Sequence, residues 1–391
     1  MAAASTEVDV VVVGAGISGI SAGHYLRTLC PNESFVILER RDNIGGTWDL
    51  NRYPGIRSDS DMITFGFSWK RWGASKIIAP REEIAAYLEE AVVEEGLGPR
   101  LRLGTEVRSA EWSSEQQRWT LTTTTGVYIC RFLHLATGYY SYEAPHRPAI
   151  AGLARFAGRV VHPQQWTERD SAACHGARVA VIGSGATAAT VVPALAQTAD
   201  RVTMVQRSPT YFVARPSEGQ PVARAVQWAA EAVLPPAWAH TVLYWHMVLK
   251  SRFDYWFARA FPGTTRWALM EAARRQLPPS FDVDTHFNPR YNPWDERICL
   301  VPDGDFFAAI RAGKVDVVTG TIKTVTETGI TMDGGHEIPA DVVVTATGLT
   351  LQNNFPMSTM EVIVDGTPFV TPTAPPPRMC TRAPALPHHR P

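Results

Sequence analysis

Residues 8–19, VDVVVVGAGISG, decide the fold of this chain. The apolar run at 8–13 predicts a buried parallel strand, and the residues from 20 to 29 predict a helix. The turn between them has the spacing GxGxxG, formed by Gly14, Gly16 and Gly19. The first glycine permits the tight turn, the second lets a pyrophosphate approach the backbone, and the third lets helix and strand pack closely. The stretch therefore predicts a dinucleotide-binding turn, with the helix N-terminus and the Ser18 hydroxyl as donors to the phosphates.

The acid that follows the next predicted strand indicates which dinucleotide binds first. The strand at 34–38 ends in Glu39, 20 residues after Gly19. A carboxylate at this point accepts hydrogen bonds from a ribose diol and disfavours a 2′-phosphate. The sequence thus predicts FAD or NAD here, against the alternative of a glycine-rich turn with a surface glutamate.

A second strand–turn–helix unit follows in the middle of the chain. A strand at 178–182 leads into a GxGxxA turn, Gly183-Ser184-Gly185-Ala186-Thr187-Ala188, and then a helix. The next strand, at 202–205, is followed by Arg207 and Ser208, where the first unit has an acid. An arginine offers a charge-assisted hydrogen bond to a 2′-phosphate, so this site is predicted to prefer NADP(H). Thr187 and Ser208 are secondary candidates for binding the phosphate.

The segment that joins the two units carries its own pattern. Residues 156–166, FAGRVVHPQQW, have the spacing Phe-x-Gly-x-x-x-His-x-x-x-Trp and end 17 residues before the second turn. Taken alone, this spacing fits ordinary linker packing, but its position between two nucleotide turns favours a functional link. The loop at 40–61 is similarly long and irregular, and such loops beside a nucleotide turn are typically functional.

Composition argues against several classes of function. The chain has 391 residues, 45% hydrophobic and 19% charged, with a net charge of −1, which favours two domains and gives no indication of a nucleic-acid partner. Five scattered cysteines without a CxxC pair indicate reduced thiols in a cytoplasmic protein, and argue against a metal site or a disulfide reductase. The run at 8–13 is too short for a membrane span, and no basic segment of a signal peptide precedes it.

The remaining pattern predicts a few further elements. We expect a helix at 82–95, a strand at 101–107, and a hairpin of strands 118–124 and 127–133 around Gly126. The aromatic-rich stretch after the second unit predicts a helical insertion. Three interpretations of it are open: a helical cap, a wall of a substrate pocket, or a shallow contact with a membrane surface.

With these motifs in view, the chain resembles the class B flavin-dependent monooxygenases of the Baeyer–Villiger type. The matching segments span roughly residues 8–350: GAGISG (14–19), GGTWDLNRYPGIRSDSD (45–61), FAGRVVHPQQW (156–166), GSGATA (183–188), YNPWDERICLVPDGD (291–305) and ATGL (346–349). Trp166 separates the chain from the microsomal-type flavin monooxygenases, which carry tyrosine there. Thr167 departs from the proline or aspartate that usually follows this tryptophan.

The resemblance implies an α/β fold with two Rossmann-like dinucleotide-binding domains and a helical insertion in the second. The FAD domain is expected at 1–150, with a return at 336–371. The NADP domain is expected at 151–215 and 291–335, interrupted by the insertion at 216–290. Neither a transmembrane span nor a particular oligomeric state is predicted.

The resemblance also implies the residues of the site. Arg297, in a strand-like segment, is expected beside the flavin, where its fixed charge stabilises an anionic peroxyflavin and helps to orient NADP(H), with Asp59 tuning its position. From the residues alone, Arg297 would equally be a surface salt-bridge residue. The residues expected to bind FAD and NADPH are Gly14, Gly16, Ser18, Gly19, Glu39, Gly46, Thr47, Trp48, Asp49, Leu50, Arg57, Ser58, Asp59, Val107, His162, Gly183, Ser184, Gly185, Ala186, Thr187, Ala188, Arg207 and Ser208.

The implied reaction uses NADPH and O2. NADPH reduces FAD, O2 adds to give a C4a-peroxyflavin, and one oxygen atom is inserted into a ketone or transferred to an organic sulfur group. Two alternatives are an N- or S-oxidising flavin monooxygenase without Baeyer–Villiger activity, and a nucleotide-binding remnant without turnover. The remnant is considered because residues 372–391 contain seven prolines, which predicts a disordered tail, a frameshift or early stop near 373, and weakened FAD binding.

Overall fold

The computed structural model describes residues 5–74, 76–219, 221–351 and 360–369. Eighteen strands lie in these ranges: β1 (Ser5–Val13), β2 (Phe35–Leu38), β3 (Leu101–Arg102), β4 (Val107–Ser113), β5 (Arg118–Thr123), β6 (Val127–Leu135), β7 (Arg159–Val161), β8 (Arg178–Ile182), β9 (Arg201–Gln206), β10 (Tyr211–Arg215), β11 (Ile298–Pro302), β12 (Val315–Thr319), β13 (Ile322–Val325), β14 (Gly329–Met332), β15 (Glu337–Pro339), β16 (Val342–Thr345), β17 (Glu361–Val364) and β18 (Thr367–Pro368). The same ranges contain eleven α-helices: α1 (Ile17–Leu29), α2 (Thr47–Leu50), α3 (Met62–Phe65), α4 (Arg81–Glu94), α5 (Glu168–Cys174), α6 (Ala186–Leu195), α7 (Pro221–Val233), α8 (Pro236–Ala260), α9 (Pro262–Arg274), α10 (Val283–His286) and α11 (Asp305–Arg311). The predicted disordered tail at 372–391 lies outside the described residues.

The first sheet has eight strands, in the order β18-β17-β4-β5-β6-β1-β2-β3. β1 runs parallel to β2 on one side and to β6 on the other, with Val13 opposite both Leu38 and Leu135. Residues 10–13 are buried, because a parallel sheet of this kind is covered on both faces. The run at 8–13 therefore forms the predicted buried parallel strand.

The rest of the first sheet is mostly antiparallel. β5 and β6 form the predicted hairpin, and α4 lies where a helix is predicted at 82–95. The prediction of one strand at 101–107 is wrong, since β3 ends at Arg102 and β4 begins at Val107. Gly104 explains the break, because its φ of +63° is a left-handed turn conformation that ends an extended segment.

The second sheet has five parallel strands, in the order β12-β9-β8-β16-β7. The unit β8–α6–β9 repeats the unit β1–α1–β2 of the first sheet. α6 packs Val191, Val192 and Leu195 into a core shared with this sheet, since these positions recur on one helical face. The predicted boundary between 335 and 336 is wrong, because β16 still belongs to the second sheet.

Helices α7, α8 and α9 form the insertion, and they lie within the predicted range 216–290. α8 packs against α3, and Arg71 Nη1 donates to the carbonyl of Pro236 at 2.8 Å. At its other end, the ring of Tyr255 meets that of Trp294 edge to face, with centroids 5.9 Å apart. None of the described helices is long and apolar enough to cross a membrane.

The chain crosses from the first sheet to the second and back at one place. The amide of Ser141 donates to the carbonyl of Thr350 at 2.8 Å, and Tyr140 forms an isolated bridge with Leu351. Beyond the return, β17 pairs in parallel with β4 of the first sheet. The outgoing and returning segments are thus tied to each other beside both nucleotide turns.

Candidate active site

A cavity of about 420 Å³ lies between the two sheets and takes wall residues from both glycine-rich turns. The predicted site residues that line it are Gly14, Gly16, Ser18, Glu39, Gly46, Thr47, Trp48, Arg57, Asp59, Val107, His162, Ala186, Thr187 and Arg297. The predicted residues outside its lining are Gly19, Asp49, Leu50, Ser58, Gly183, Ser184, Gly185, Ala188, Arg207 and Ser208.

The first turn is held closed by two glycines. Gly14 has a φ of +107°, and a Cβ atom there would lie 2.4 Å from the carbonyl oxygen of Ala136. A Cβ on Gly19 would lie 1.8 Å from the carbonyl oxygen of Gly14. Gly16 caps α1 without any side-chain hydrogen bond to the first turn, so the N–H groups at the helix N-terminus remain available to a ligand.

Glu39 is buried at the end of β2, on the cavity wall. Its Oε2 accepts from the amide of Ala15 at 2.8 Å, and its Oε1 accepts from the amide of Arg41 at 3.0 Å. Each carboxylate oxygen can accept a second hydrogen bond. The side chain is therefore oriented by the backbone and can still accept from a ribose diol.

The loop at 45–61 divides between the cavity and the protein interior. Asp49 is buried and holds two guanidinium groups, those of Arg41 at 2.5 Å and Arg52 at 2.8 Å. Ser58 Oγ accepts from the amide of Ala79 at 3.0 Å. These contacts orient the loop, and they explain why neither Asp49 nor Ser58 faces the cavity.

The second turn repeats the geometry of the first. Gly183 has a φ of +135°, and a Cβ atom there would lie 2.3 Å from the carbonyl oxygen of Ala346. Ala136 and Ala346 begin the two Ala-Thr-Gly segments of the crossings, so each glycine turn packs against one of them. A Cβ on Gly185 would meet nothing within 4 Å, which leaves open space at the N-terminus of α6.

Arg207 and Ser208 lie exposed just after β9. Ser184 Oγ donates to the carbonyl of Ser208 at 3.2 Å, which ties this segment to the second turn. Gln206 is buried and donates to the carbonyl of His286 at 2.7 Å. Arg207 makes no ion pair with any described residue, so its charge is available beside the turn.

Arg297 and Asp59 meet on the cavity wall. Arg297 lies one residue before β11, and its Nη2 donates to Asp59 Oδ2 at 2.5 Å. Tyr53 stands near this pair and hydrogen-bonds to Thr187, while burial raises the pKa of its phenol. Arg57 turns away to a separate ion pair with Asp305 at 2.5 Å.

His162 and Gln164 form the wall that comes from the linker 156–166. The Nδ1 atom of buried His162 accepts from the amide of Gln164 at 3.2 Å. Burial lowers the pKa of this ring, and the nearby Arg147 lowers it further. The imidazole is therefore neutral at neutral pH, with its proton on Nε2.

Gln164 is a site residue that the sequence analysis missed. Its Nε2 donates to the carbonyl of Ser141 at 2.6 Å, while its buried Oε1 has no partner among the described residues. Because Gln164 lines the cavity, a ligand N–H or O–H group can satisfy this oxygen. Its place in the linker, two residues after His162, is the signal that could have identified it.

The cysteines give the site no redox pair. Of the four described cysteines, Cys130, Cys174 and Cys299 are buried free thiols and Cys30 is an exposed one. Burial raises the pKa of Cys130 and Cys174 to about 11 and that of Cys299 to about 12. Within the described ranges, no cluster of side chains could hold a metal ion.

Comparison with known proteins identifies the family of this chain. The family described as "Pyridine nucleotide-disulphide oxidoreductase" matches residues 11–220. The chain is 49% identical over 349 residues to the FAD-containing monooxygenase EthA of Mycolicibacterium smegmatis, covering 88% of this chain and 70% of that protein. The chain belongs to the FAD-containing monooxygenases. EthA of Mycobacterium tuberculosis is 46% identical over the same span, and the putative monooxygenase MymA of that organism is 42% identical over 377 residues, or 93% of this chain and 73% of MymA.

Solved structures agree with the fold of this monooxygenase. A steroid monooxygenase bound to NADP has a TM-score of 0.72 and 28% identity, and the match covers 91% of this chain and 74% of that one. The open form of cyclohexanone monooxygenase has a TM-score of 0.71 and 25% identity, covering 91% and 76%. The predicted α/β fold with two Rossmann-like units, and the predicted class of flavin monooxygenase, are confirmed.

Proposed function

We propose that this monooxygenase uses FAD and NADPH to insert one atom of O2 into a ketone or to transfer it to an organic sulfur group. The observation that carries the proposal is the shared cavity. One wall comes from the turn at 14–19, another from Ala186 and Thr187 of the turn at 183–188, and the Arg297–Asp59 pair lies on the same cavity. A reductant and an oxidised cofactor that must meet need such a common space.

The residues present fit FAD at the first turn. The open N-terminus of α1 suits a pyrophosphate, and Glu39 retains acceptor capacity for a ribose. A Cβ on Gly16 would lie 3.6 Å from the Cα of Gly46, which is an ordinary contact, so packing within the protein does not require glycine here. The unsatisfied Oε1 of Gln164 is a further acceptor on the cavity wall.

The residues present also fit NADPH at the second turn. Space around Gly185 would receive a pyrophosphate, with the Ser184 and Thr187 hydroxyls beside it. Arg207 has no competing carboxylate among the described residues, so it can pair with a 2′-phosphate. A sugar hydroxyl could not use the Gln206 amide group as a donor, because that group already donates to His286 and to Thr319.

The chain's own residues would act by binding, orientation and fixed charge. When bound, FAD accepts hydride from NADPH and reacts with O2. Arg297 offers the fixed positive charge of a guanidinium to negative charge that develops on oxygen. Asp59 holds that guanidinium in place, and Tyr53 connects the same loop to Thr187 of the second turn.

A ketone is the favoured substrate class. The steroid and cyclohexanone monooxygenases are similar in fold over nine-tenths of this chain, and Trp166 and Arg297 stand where the Baeyer–Villiger pattern has them.

We assign the domains as predicted, except that the second domain continues through β16. We also propose a cytoplasmic location, because the described cysteines form no disulfide.

The visible spectrum of the purified chain tests this function. We expect flavin absorption close to one FAD per chain, loss of the bands on adding NADPH without air, and their recovery in air. Oxygen uptake should then rise with a cyclic ketone or a thioether. A colourless chain that takes up no added FAD would refute the proposal, and turnover with an amine but with no ketone or sulfide would redirect it to an N-oxidising enzyme.

A further inference from the structure

Helix α8 presents a continuous apolar stripe to solvent. Six of its side chains are 41–65% exposed and follow one another every three or four residues: Trp238, Val242, Trp245, Leu249, Phe253 and Trp256. At about 100° and 1.5 Å per residue, these positions fall within a sector of roughly 80° and extend over roughly 27 Å. We refer to these six residues as the α8 stripe.

The α8 stripe is not the face that holds the helix to the protein. Ala239, Leu243 and Ala258 are buried on the opposite side. A surface helix ordinarily turns a polar face to water, whereas α8 turns its apolar stripe to water and carries the Lys250–Asp254 pair on another side. Single exposed apolar residues are common, but a contiguous patch of this length marks a binding surface.

The chemistry of the patch matches a lipid surface. Trp228 of α7 and Trp267 of α9 are also exposed, so five of the chain's twelve tryptophans point outward from the insertion. The indole ring, apolar with one N–H donor, is enriched at the level of lipid headgroups. The α8 stripe therefore has the side chains of a helix that lies in the membrane interface.

One cation of α8 is free to meet an anionic lipid. The helix carries Lys250, Arg252 and Arg259 with one acid, Asp254, but Arg259 forms an ion pair with Asp295 beyond the helix. Asp254 projects away from the stripe by helical position and is bound to Lys250 at 2.6 Å. Arg252, at the edge of the stripe, is exposed and makes no ion pair within the described residues. Cationic side chains beside an apolar face strengthen binding to anionic headgroups.

A second copy of the chain fits the α8 stripe less well. A helix-to-helix seam favours leucine, isoleucine and valine at alternating intervals of three and four residues. Here that series would run through Val242, Trp245, Leu249, Arg252 and Trp256. It places an arginine and two large indoles in the seam.

The inner face of α8 packs on elements of the cavity. α3, against which it lies, contributes Phe65 to the cavity wall. Tyr255 contacts Trp294, three residues before Arg297. We propose that the α8 stripe docks this enzyme on the surface of an anionic bilayer, which puts the cavity next to lipid, where apolar substrates concentrate.

Vesicle co-sedimentation of the full chain with FAD and NADP⁺ tests the proposal. The probes are vesicles of phosphatidylcholine alone and of phosphatidylcholine mixed with phosphatidylglycerol. The test variant carries Trp245→Gln and Leu249→Gln. The matched control carries Val93→Gln and Phe132→Gln, which replace two exposed apolar residues of the first sheet and its helices. Circular dichroism and thermal melting check that each variant is folded.

We expect the wild type and the control to sediment with the mixed vesicles. The test variant should bind these vesicles roughly tenfold more weakly or worse, because two of its apolar side chains no longer enter the lipid. Arg252→Glu should reduce the preference for the anionic vesicles. Quenching of tryptophan fluorescence by brominated lipid provides a reading on the wild type that needs no variant. The proposal is overturned if the wild type ignores both vesicles, or if the test variant binds as well as the control. If the wild type and the control form an oligomer, the test variant is monomeric, and none of them binds vesicles, the stripe is a self-association face instead.

Discussion

The guanidinium of Arg297 donates to the carboxylate of Asp59 at 2.5 Å, although 238 residues separate them in sequence. Both side chains are 52% exposed, so the pair contributes at most about 1 kcal/mol to the free energy of unfolding. A strong effect of replacing Arg297 on catalysis would therefore report chemistry and not folding.

Arg297→Lys should lower kcat by about 10²–10³-fold, because the planar guanidinium that we propose stabilises charge on the reacting oxygen is replaced by a mobile point charge. The measurement is NADPH- and substrate-dependent oxygen uptake, alongside the melting temperature. Arg201→Lys is the control, since Arg201 forms an exposed ion pair with Asp316 at the far end of β9. Equal losses in both variants would contradict the role proposed for Arg297.

Gly185→Ala and Gly183→Ala should separate binding from folding. An added Cβ at Gly185 meets no protein atom within 4 Å, so this variant should fold normally and bind NADPH at least roughly tenfold more weakly, because the methyl group occupies the place of the pyrophosphate. At Gly183 the Cβ would lie 2.3 Å from Ala346 O, so that variant should be unstable. Titration of NADPH by fluorescence and thermal melting measure the two effects. Normal NADPH affinity in Gly185→Ala would place the dinucleotide elsewhere.

Arg207→Ala should raise the Kd for NADPH by about 10–100-fold and leave that for NADH nearly unchanged. A hydrogen bond to a charged group contributes about 1.5–3 kcal/mol, and only NADPH carries the 2′-phosphate. The measurement is the Kd of the variant and of the wild type for NADPH and for NADH, under the same salt conditions. A parallel weakening of both dinucleotides would instead indicate damage to the turn, to which this segment is tied by Ser184.

Gln164→Leu should reduce retention of FAD, since it removes the free acceptor on the cavity wall and the donor to Ser141. A lost hydrogen bond costs about 1 kcal/mol, or roughly fivefold in affinity. The neighbouring Gln165 is exposed and hydrogen-bonds to Arg147, so Gln165→Leu is the matched control. The FAD-to-protein ratio after dialysis is the measurement, and equal ratios in the two variants would remove Gln164 from the cofactor site.

The free energy of unfolding should fall as the pH drops below about 6.5. Burial lowers the pKa of His162, His240 and His286 in the folded chain, while the unfolded chain keeps ordinary values near 6.5. The unfolded state then binds more protons in mildly acidic solution, so stability is full above this pH and declines below it. Urea unfolding at about pH 7.5 and about pH 5.5 measures this. His162→Gln should flatten the decline, whereas substitution of the exposed His175 should not.

Much of the fold follows from short-range pattern. The two glycine turns, Glu39 after β2 and Arg207 after β9 stand at fixed distances from apolar strands, and local spacing is enough to locate them. The prediction of a strand at 101–107 is wrong because Gly104, with its positive φ, ends the extended segment. Apolar periodicity does not reveal such a turn.

The sequence does not show which polar side chains pair with each other in the folded chain. Asp49 carries the same chemistry as an FAD-binding acid, but Arg41 and Arg52 hold it in the interior. The unsatisfied oxygen of Gln164 becomes visible only when Ser141 takes the amide nitrogen. Such competition between possible partners is decided by tertiary packing.

The hydrogen bond between Ser141 and Thr350 has a consequence for how such an enzyme is assembled. All five strands of the second sheet lie between these two residues, whose backbones are joined at 2.8 Å. The second sheet is therefore formed by one continuous segment of the chain, and the two ends of that segment lie side by side at the first sheet. A short linker from 141 to 350 would bridge the gap without disturbing β1, β2 or β6, because ends that meet can be joined without strain. The second nucleotide-binding unit is thus one continuous insertion in the first, between residues 141 and 350.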